Sequence, residues 1–588
     1  METCGYTTER NAQILIALLK AHGIRRIVVS PGGTNIAFVG SVQSDDYFQL
    51  YSSVDERSAA YIACGLAEET GEPVALSCTG ATASRNYMSG LTEAFYRKLP
   101  LLAITSSQPS INIGMLIPQA IDRRVVPNDI VVESVNVPMI RSEEDEWGCS
   151  VAINKAILAL KRNGGGPSHI NLVTDFGHDF AVRKLPFVQK IDRIGYEDAF
   201  PQIPSGIKVG VLVGAHSQWS QRLVDAVNAF CERYDAVVFH DLPGNYRGNY
   251  GVAYSLVCDR KHASLEGTEP DLLIHIGEMS GGYSLNRLGL ATKRVWRVNP
   301  DGEIRDKFRK LEYVFEMTEV SFFEKYAHDD KSRGLSTASY FNRCMALYEK
   351  ARAQIPDLPF SNMWIASQTA TALPENSVLH LGILNSLRTW NYFPVTNSVR
   401  CYSNTGGFGI DGNTSSLIGA SFADSERLYF GVVGDLSFFY DMNSLGNRHV
   451  GKNFRLLVVN NGRGTEFRLP ISVGSVFGSD ADKYIAAAGH YGQQSTNLVK
   501  HYAEDLGFEY ITASDKKTFL EMLPEFLSSG CKPKVFEVFI DSADESKALM
   551  MVYGMGDTSG GQIARDAKSI VSNLLPEGFK KAIKGVLS

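Results

Sequence analysis

Short apolar runs alternate with helix-length segments along almost the whole chain, and this pattern constrains the fold more than any other feature. Runs such as Lys208–Gly214 (KVGVLVG), Asp271–Gly277 (DLLIHIG), Arg427–Val433 (RLYFGVV) and Phe454–Val459 (FRLLVV) are apolar but for one or two polar or charged residues each. Strands of that kind are buried on both faces, as in a parallel sheet covered by helices. The expected fold class is therefore α/β, with doubly wound parallel sheets. The 588 residues allow three or four domains. Polar, proline-containing stretches near Lys184–Gly206 and Gln354–Asn362 divide the chain. The expected units are 1–185, a nucleotide-fold-like middle unit at 205–350, a third at 360–541, and an extension at 542–588 with a helical pattern from Ile563 to Leu587.

Composition excludes several classes. With 58 basic and 64 acidic residues the net charge is −6, the wrong sign for a general nucleic-acid binder. No apolar window is long enough for a membrane span, and Met1–Arg10 has no signal-peptide pattern. The nine cysteines are scattered without a CxxC pair, which fits a reducing cytoplasm and small buried hydrophobes. Glycine is in mild excess at 53 residues, which suggests tight turns or close backbone approach to a ligand.

Two polar loops carry the strongest chemical signal. Gly434-Asp435-Leu436-Ser437 and Asn460-Asn461 each follow directly on an apolar strand. Asp435 and Asn461 are 26 positions apart, room for a helical crossover between parallel strands. Both then sit at carboxyl ends of strands, where doubly wound sheets take ligands. A carboxylate, an amide oxygen and a backbone carbonyl such as that of Arg463 make a hard-oxygen set suited to Mg²⁺ with diphosphate. Gly462 and Gly464 would let the backbone approach a phosphate. Glu56, in Val54-Asp55-Glu56-Arg57-Ser58, lies at a strand-to-helix junction, where an acidic residue has a dipole role by default. Cys78-Thr79-Gly80-Ala81-Thr82-Ala83 is a small-residue turn after a strand.

These stretches, with EAFYRKLPLL, GPSHINL, EPDLLIHIG and SNTGGFGIDG, resemble the thiamine diphosphate-dependent enzymes of the acetolactate synthase and pyruvate oxidase type. Within that family they are most similar to the SEPHCHC synthases of menaquinone biosynthesis, over roughly the first 540 residues. The resemblance implies a pyrimidine-binding, a middle and a diphosphate-binding domain, with thiamine diphosphate and Mg²⁺ as cofactors. It implies that Glu56 contacts N1′ of the aminopyrimidine and promotes formation of the ylid. Asp435, Asn461 and the Arg463 carbonyl would hold Mg²⁺, and Gln119 would lie beside the bound intermediate. Thr79, Gly80, Gly407, Phe408, Gly409, Ile410, Gly434, Leu436, Ser437, Gly464 and Thr465 would line the cofactor. The cofactor would lie between two subunits of a homodimer or homotetramer.

The chain departs from the SEPHCHC pattern at its substrate arginines. Thr34 in Ser30-Pro31-Gly32-Gly33-Thr34-Asn35 and Thr405 in Asn404–Gly412 take the places of arginines that, by the resemblance, grip carboxylates of 2-oxoglutarate and isochorismate, and Phe422 loosely takes the place of a third. A neutral hydroxyl does not replace a bidentate guanidinium. The expectation is a changed substrate: a smaller or less acidic 2-oxoacid such as pyruvate as donor and a carbonyl or enone acceptor, and not a SEPHCHC synthase reaction. Thr34, Asn35, Thr405 and Arg388 are the substrate candidates, and Arg85, Arg463 and Glu466 lie in or near the same motif loops. Decarboxylation without carboligation, or a non-catalytic homologue, are the alternatives. Gly554, Gly556, Gly560 and Gly561 are candidate hinges of a terminal lid.

Overall fold

The computed structural model describes residues 5–122, 125–216, 219–260, 263–329 and 338–555. The predicted helical pattern at Ile563–Leu587 and the hinge candidates Gly556, Gly560 and Gly561 lie outside the described residues. Nineteen strands are described: β1 Arg26–Val29, β2 Gln49–Ser52, β3 Val74–Thr79, β4 Leu101–Ser107, β5 Glu133–Val137, β6 Ser168–Val173, β7 Asp192–Ile194, β8 Val209–Val213, β9 Ala236–His240, β10 Gly251–Ala253, β11 Leu272–Ile276, β12 Arg294–Val298, β13 Leu311–Phe315, β14 Val378–Leu381, β15 Arg400–Tyr402, β16 Tyr429–Gly434, β17 Phe454–Asn460, β18 Glu509–Ala513 and β19 Lys534–Phe539. They form three parallel sheets flanked by helices, the α/β architecture that the apolar runs predict.

Chain contacts divide the molecule into two units, one of residues up to 199 with 302–316, the other of the remainder. The first unit holds a six-stranded sheet of order β2-β1-β3-β4-β6-β5. Its neighbours on adjacent strands alternate between two cores, because successive side chains point to opposite faces. Ile27, Ala75 and Leu102 face one helical layer. Val28, Leu76 and Ala103 face the other. That is why these strands read as unbroken apolar runs. β7 and β13 also pair in parallel within this unit, so the Lys184–Gly206 stretch is not a plain linker. Its short strand has three half-buried residues and no apolar run to betray it.

The second unit contains the parallel order β10-β9-β8-β11-β12 and a six-stranded sheet of order β15-β14-β16-β17-β19-β18. In the latter, Gly434 on β16 stands opposite Val459 on β17, and Val459 opposite Val538 on β19. The loops after β14, β16 and β17 therefore leave the same edge of the sheet.

Five helices position the site: α1 Glu56–Thr70, α2 Thr82–Asn86, α3 Asn385–Trp390, α4 Asp435–Asp441 and α5 Ser542–Tyr553. α1 starts where Asp55 caps it, its Oδ1 accepting the Ser58 amide at 2.7 Å. It ends at Gly71, whose left-handed φ of 66° closes the last turn. Its buried face is Ala59, Ala60, Ala63 and Ala67, small enough to let Gly90 approach closely: a Cβ at Gly90 would fall 2.4 Å from that of Ala60. Among the described cysteines, seven are buried and Cys531 is exposed. Among the described residues, no helix is long and apolar enough to cross a membrane.

Candidate active site

In the first unit, Glu56 is the first residue of α1, at the carboxyl end of β2. Its carboxylate has one recorded side-chain donor, Asn86 Nδ2 on α2, at 3.0 Å from Oε2. The sequence reading missed Asn86; its signal is an amide one helical turn beyond the small-residue Thr79–Ala83 turn. The neighbouring loops are stitched to one another. Thr34 Oγ1 donates to the Ser106 carbonyl at 2.7 Å and bonds the Thr79 hydroxyl. The Gly80 amide points at Thr34 Oγ1 at 3.4 Å. Asn35 donates to the Ser30 carbonyl at 3.1 Å and accepts from Ser77 at 2.5 Å. Thr34 and Asn35 are both buried, so their polar groups are committed to the fold.

Gln119 stands on the loop after β4, exposed and with a left-handed φ of 65°. That conformation costs a non-glycine residue energy unless its surroundings hold it. Here Gln108 braces the loop by donating to the Pro118 carbonyl at 2.9 Å, and Asn112 donates to Gln108 at 3.1 Å. Arg85 donates to the Asp122 carbonyl at 2.9 Å, on the same loop.

In the second unit, Asp435 opens α4 and is 4% exposed. Burial pushes its carboxyl up to about 7, opposed by backbone N–H groups of Leu436, Asp435 itself and Gly462. The Gly462 contact joins the loop after β17 to the end of β16. Among the described residues no ion pair neutralises Asp435, and a buried carboxylate without a cation is costly. Asn461 Oδ1 accepts the Arg463 amide at 3.3 Å. The Arg463 guanidinium turns away to Asp482 at 2.8 Å, and its carbonyl accepts the Thr465 amide at 2.9 Å. Asn460 has a different task from Asn461: it donates to Glu537 on β19 at 2.8 Å, inside the sheet.

The 403–412 loop follows β15 and is tied to α4. Ser437 donates to the Ile410 carbonyl at 2.6 Å, and Asn413 donates to Ser437 at 3.0 Å. Thr405 is buried, and Phe408 holds a φ of 55°. A Cβ placed on Gly406, Gly407 or Gly434 would meet nothing within 4 Å. At Gly409 the side chain of Asp411 already fills that place, with Oδ1 at 2.2 Å. Arg388 forks onto Glu466, with Nη1 at 2.8 Å and Nη2 at 2.7 Å from the two carboxylate oxygens.

Residues 10–125 match the family model of the thiamine pyrophosphate enzyme N-terminal TPP-binding domain. The chain is 32% identical to the 2-succinyl-5-enolpyruvyl-6-hydroxy-3-cyclohexene-1-carboxylate synthase of Phocaeicola vulgatus, over 93% of this chain and 98% of that protein. It is 31% identical to the synthase of the same name from Bacteroides thetaiotaomicron, over 93% and 99%. The chain belongs to the thiamine diphosphate-dependent enzymes. The counterpart from Flavobacterium johnsoniae, 26% identical over 98% of its length, extends the same likeness.

The residues present fit a thiamine diphosphate enzyme on structural grounds. The buried Asp435, which makes no ion pair among the described residues, fits a bound positive charge. The amide oxygen of Asn461 stands on the loop whose Gly462 amide meets that carboxylate. Gly406, Gly407 and Gly434 leave open space where side chains would otherwise stand. The sequence reading overlooked Glu545, and it placed Glu466 only as a residue in or near the motif loops. Glu545 on α5 is fully buried and accepts the Asn362 amide at 2.7 Å and the Asn385 side chain. Among the described residues, Glu466 is the sole acidic partner of Arg388. Neither pairing has a local sequence signal, because 160 and 78 positions separate the partners.

Proposed function

We propose that this enzyme uses thiamine diphosphate with Mg²⁺ to decarboxylate a 2-oxoacid and to transfer the acyl unit to a carbonyl or enone acceptor. One observation carries the cofactor part: a buried carboxylate with no ion pair among the described residues, at a strand end, next to a backbone amide of the adjacent loop and to open space at Gly434. Asp435, Asn461 and the Arg463 carbonyl would hold the ion, and Gly434, Leu436, Ser437, Gly464 and Thr465 would line the diphosphate. Thr79, Gly80, Gly407, Phe408, Gly409 and Ile410 would enclose the rest of the cofactor. When bound, thiamine diphosphate supplies the electron sink for breaking and making the C–C bond. Glu56 would share a proton with a ring nitrogen of the cofactor, and Gln119 would hydrogen-bond the reacting substrate.

Glu56 and Asp435 would meet across a dimer interface, within the domain plan 1–185, 205–350 and 360–541. In support, Tyr61 and Ile62, on the helix that Glu56 begins, are 48% and 47% exposed in the single chain, an apolar surface a second copy would cover. A cytoplasmic location agrees with thiols rather than disulfides among the described cysteines.

For the substrate, the supporting observation is neutral chemistry. The Thr34 hydroxyl is consumed by Ser106 and Thr79, and Thr405 is buried, so neither supplies a cation for a dicarboxylate. A second reading, the reaction in the name of the relatives, is favoured by the full-length identity. The test is CO₂ release from a panel of 2-oxoacids, with and without carbonyl acceptors, and with 2-oxoglutarate plus isochorismate as one arm. Turnover of pyruvate or another monocarboxylic donor supports the changed substrate. Turnover confined to 2-oxoglutarate with isochorismate overturns it in favour of the second reading. Release without any coupled product removes the acyl-transfer step.

A further inference from the structure

The ion pair between Arg388 and Glu466 spans an arrangement with a consequence for the cofactor loop. Arg388 is on α3, which begins four positions beyond β14; Glu466 is five positions beyond Asn461. In the sheet, β16 lies between β14 and β17. The pair therefore bridges the loops on either side of the strand that ends at Gly434, next to Asp435. Both partners are largely buried, with side chains 13% and 22% exposed. Two parallel N–H···O bonds fix the relative orientation of the groups as well as their distance.

Each end of the bridge is anchored. On the α3 side, Asn385 donates to Glu545 on α5, and Glu545 also accepts the Asn362 amide at 2.7 Å. Trp390 Nε1 donates to Asn362 Oδ1 at 3.0 Å, and Asn362 donates to Ser386 at 3.1 Å. Leu384, which precedes α3, sits at φ 65° and ψ −117°, a backbone state held only by its surroundings. On the other side, the Gly464 amide donates to the Ala486 carbonyl at 2.6 Å. A buried ion pair adds little stability over well-packed apolar residues. Its distinctive property is geometric.

We propose that Arg388 and Glu466 are positioning residues that set the register of the 461–466 loop, and through it present Asn461 and the Arg463 carbonyl to the cofactor's metal ion. The last described helix, α5, backs this clamp through Glu545. The inference rests on the Mg²⁺–thiamine diphosphate reading above and assigns neither residue a contact with substrate.

The test is the dissociation constant of thiamine diphosphate with Mg²⁺, read by quenching of intrinsic tryptophan fluorescence in the full-length protein, alongside apo-protein melting temperatures. Glu466→Gln and Arg388→Lys should each weaken cofactor binding at least tenfold, with melting changed by no more than a few degrees. The double variant should bind no worse than the weaker single one, because one interaction is removed once. Unchanged binding in both single variants overturns the clamp, and so does a loss that is fully additive or that tracks a fall in melting temperature. If Arg388→Lys does not fold, Glu466→Gln, which preserves side-chain shape, decides alone. A wild-type protein that binds no cofactor overturns the underlying reading as well; a wild type that binds while the variants bind equally overturns only the clamp.

Discussion

The first and third sheets have the same strand order. Counting from its own first strand, each runs 2-1-3-4-6-5. Corresponding loops can therefore be compared one by one. The loop after the second strand is Glu56 in one sheet and the 403–412 loop in the other. After the third strand come Thr79-Gly80 and Gly434-Asp435. After the fourth come the Gln119 loop and the Asn461 loop. In the first sheet the inner loops are filled by the protein's own atoms: Thr34 bonds Thr79 and Ser106, and Gly32 lies against Thr79. In the third sheet the matching edge has open space at Gly406, Gly407 and Gly434, while Gln493 fills the place beside Gly462, and it holds the buried Asp435 carboxylate, which makes no ion pair among the described residues. One scaffold thus offers a lone acid on a closed surface, and the other an open cradle. Fold alone does not assign the chemistry; the loops do.

The largest expected effect separates the two sheets. Glu56→Ala should bind Mg²⁺–thiamine diphosphate and lower exchange of the cofactor C2 proton by a factor on the order of 10² to 10⁴. Asp435→Ala should fail to bind the cofactor at micromolar concentrations. Mixed and reassociated, the two inactive proteins should recover about a quarter of wild-type activity, because half of the dimers carry one intact site in two. No recovery in a sample proven to exchange subunits would place both residues in one chain's site and end the cross-subunit assignment.

The third sheet's unit also carries a pH dependence of its own. Burial raises the Glu545 carboxyl from 4.5 to about 7, against the hydrogen bonds from Asn362 and Asn385. A raised carboxyl contributes its full stability below the unfolded value and loses it as pH rises through the folded one. Apo-protein stability should fall between about pH 4.5 and 7, by at most roughly 3 kcal/mol from this group. Urea melts at pH 5 and pH 8 measure it. Glu545→Gln should lessen the difference and leave the part that the raised Asp435 carboxyl contributes, and an unaltered pH profile in that variant would remove Glu545 as a cause.

Asp435 and Asn461 were legible in the sequence because apolar strands of six and seven residues announce where they end. Glu56 was legible only through resemblance, since an acidic residue in a first helical turn has a generic reason to be there. The twin strand order was hidden. β2 is four largely exposed residues and β15 only three, so the strands that complete the pattern carry no apolar run. The fate of the Thr34 hydroxyl was hidden too, because its acceptor on β4 is 72 positions away. The same holds for Arg388, a substrate candidate by its place in a motif loop. Its guanidinium is held by Glu466, a pairing set by tertiary approach rather than by any local pattern.

A smaller effect probes the acid on the first sheet. Asn86→Ala removes the side-chain donor to Glu56. A hydrogen bond to a charged group contributes about 1.5–3 kcal/mol, and Glu56 at the surface of the single chain belongs at the low end. C2-proton exchange should slow about tenfold while cofactor affinity stays within about twofold of wild type. Equal loss of affinity and exchange would make Asn86 a binding residue instead.

The smallest effect tests the contrast between closed and open edges directly. A Cβ on Gly32 would lie 2.8 Å from Thr79 Cβ and 2.9 Å from its Cγ2, whereas one on Gly407 would meet nothing within 4 Å. Neither glycine has a left-handed φ, so space alone distinguishes them. Gly32→Ala should cost the apo-protein about 1 kcal/mol, because Thr79 is held by its bond to Thr34 and yields poorly. Gly407→Ala should leave apo stability within about 0.5 kcal/mol and instead weaken thiamine diphosphate binding. Denaturant midpoints with and without cofactor resolve the two. If Gly407→Ala destabilises the apo-protein as much as Gly32→Ala does, the open edge of the third sheet is closed by the protein itself, and the asymmetry between the two sheets disappears.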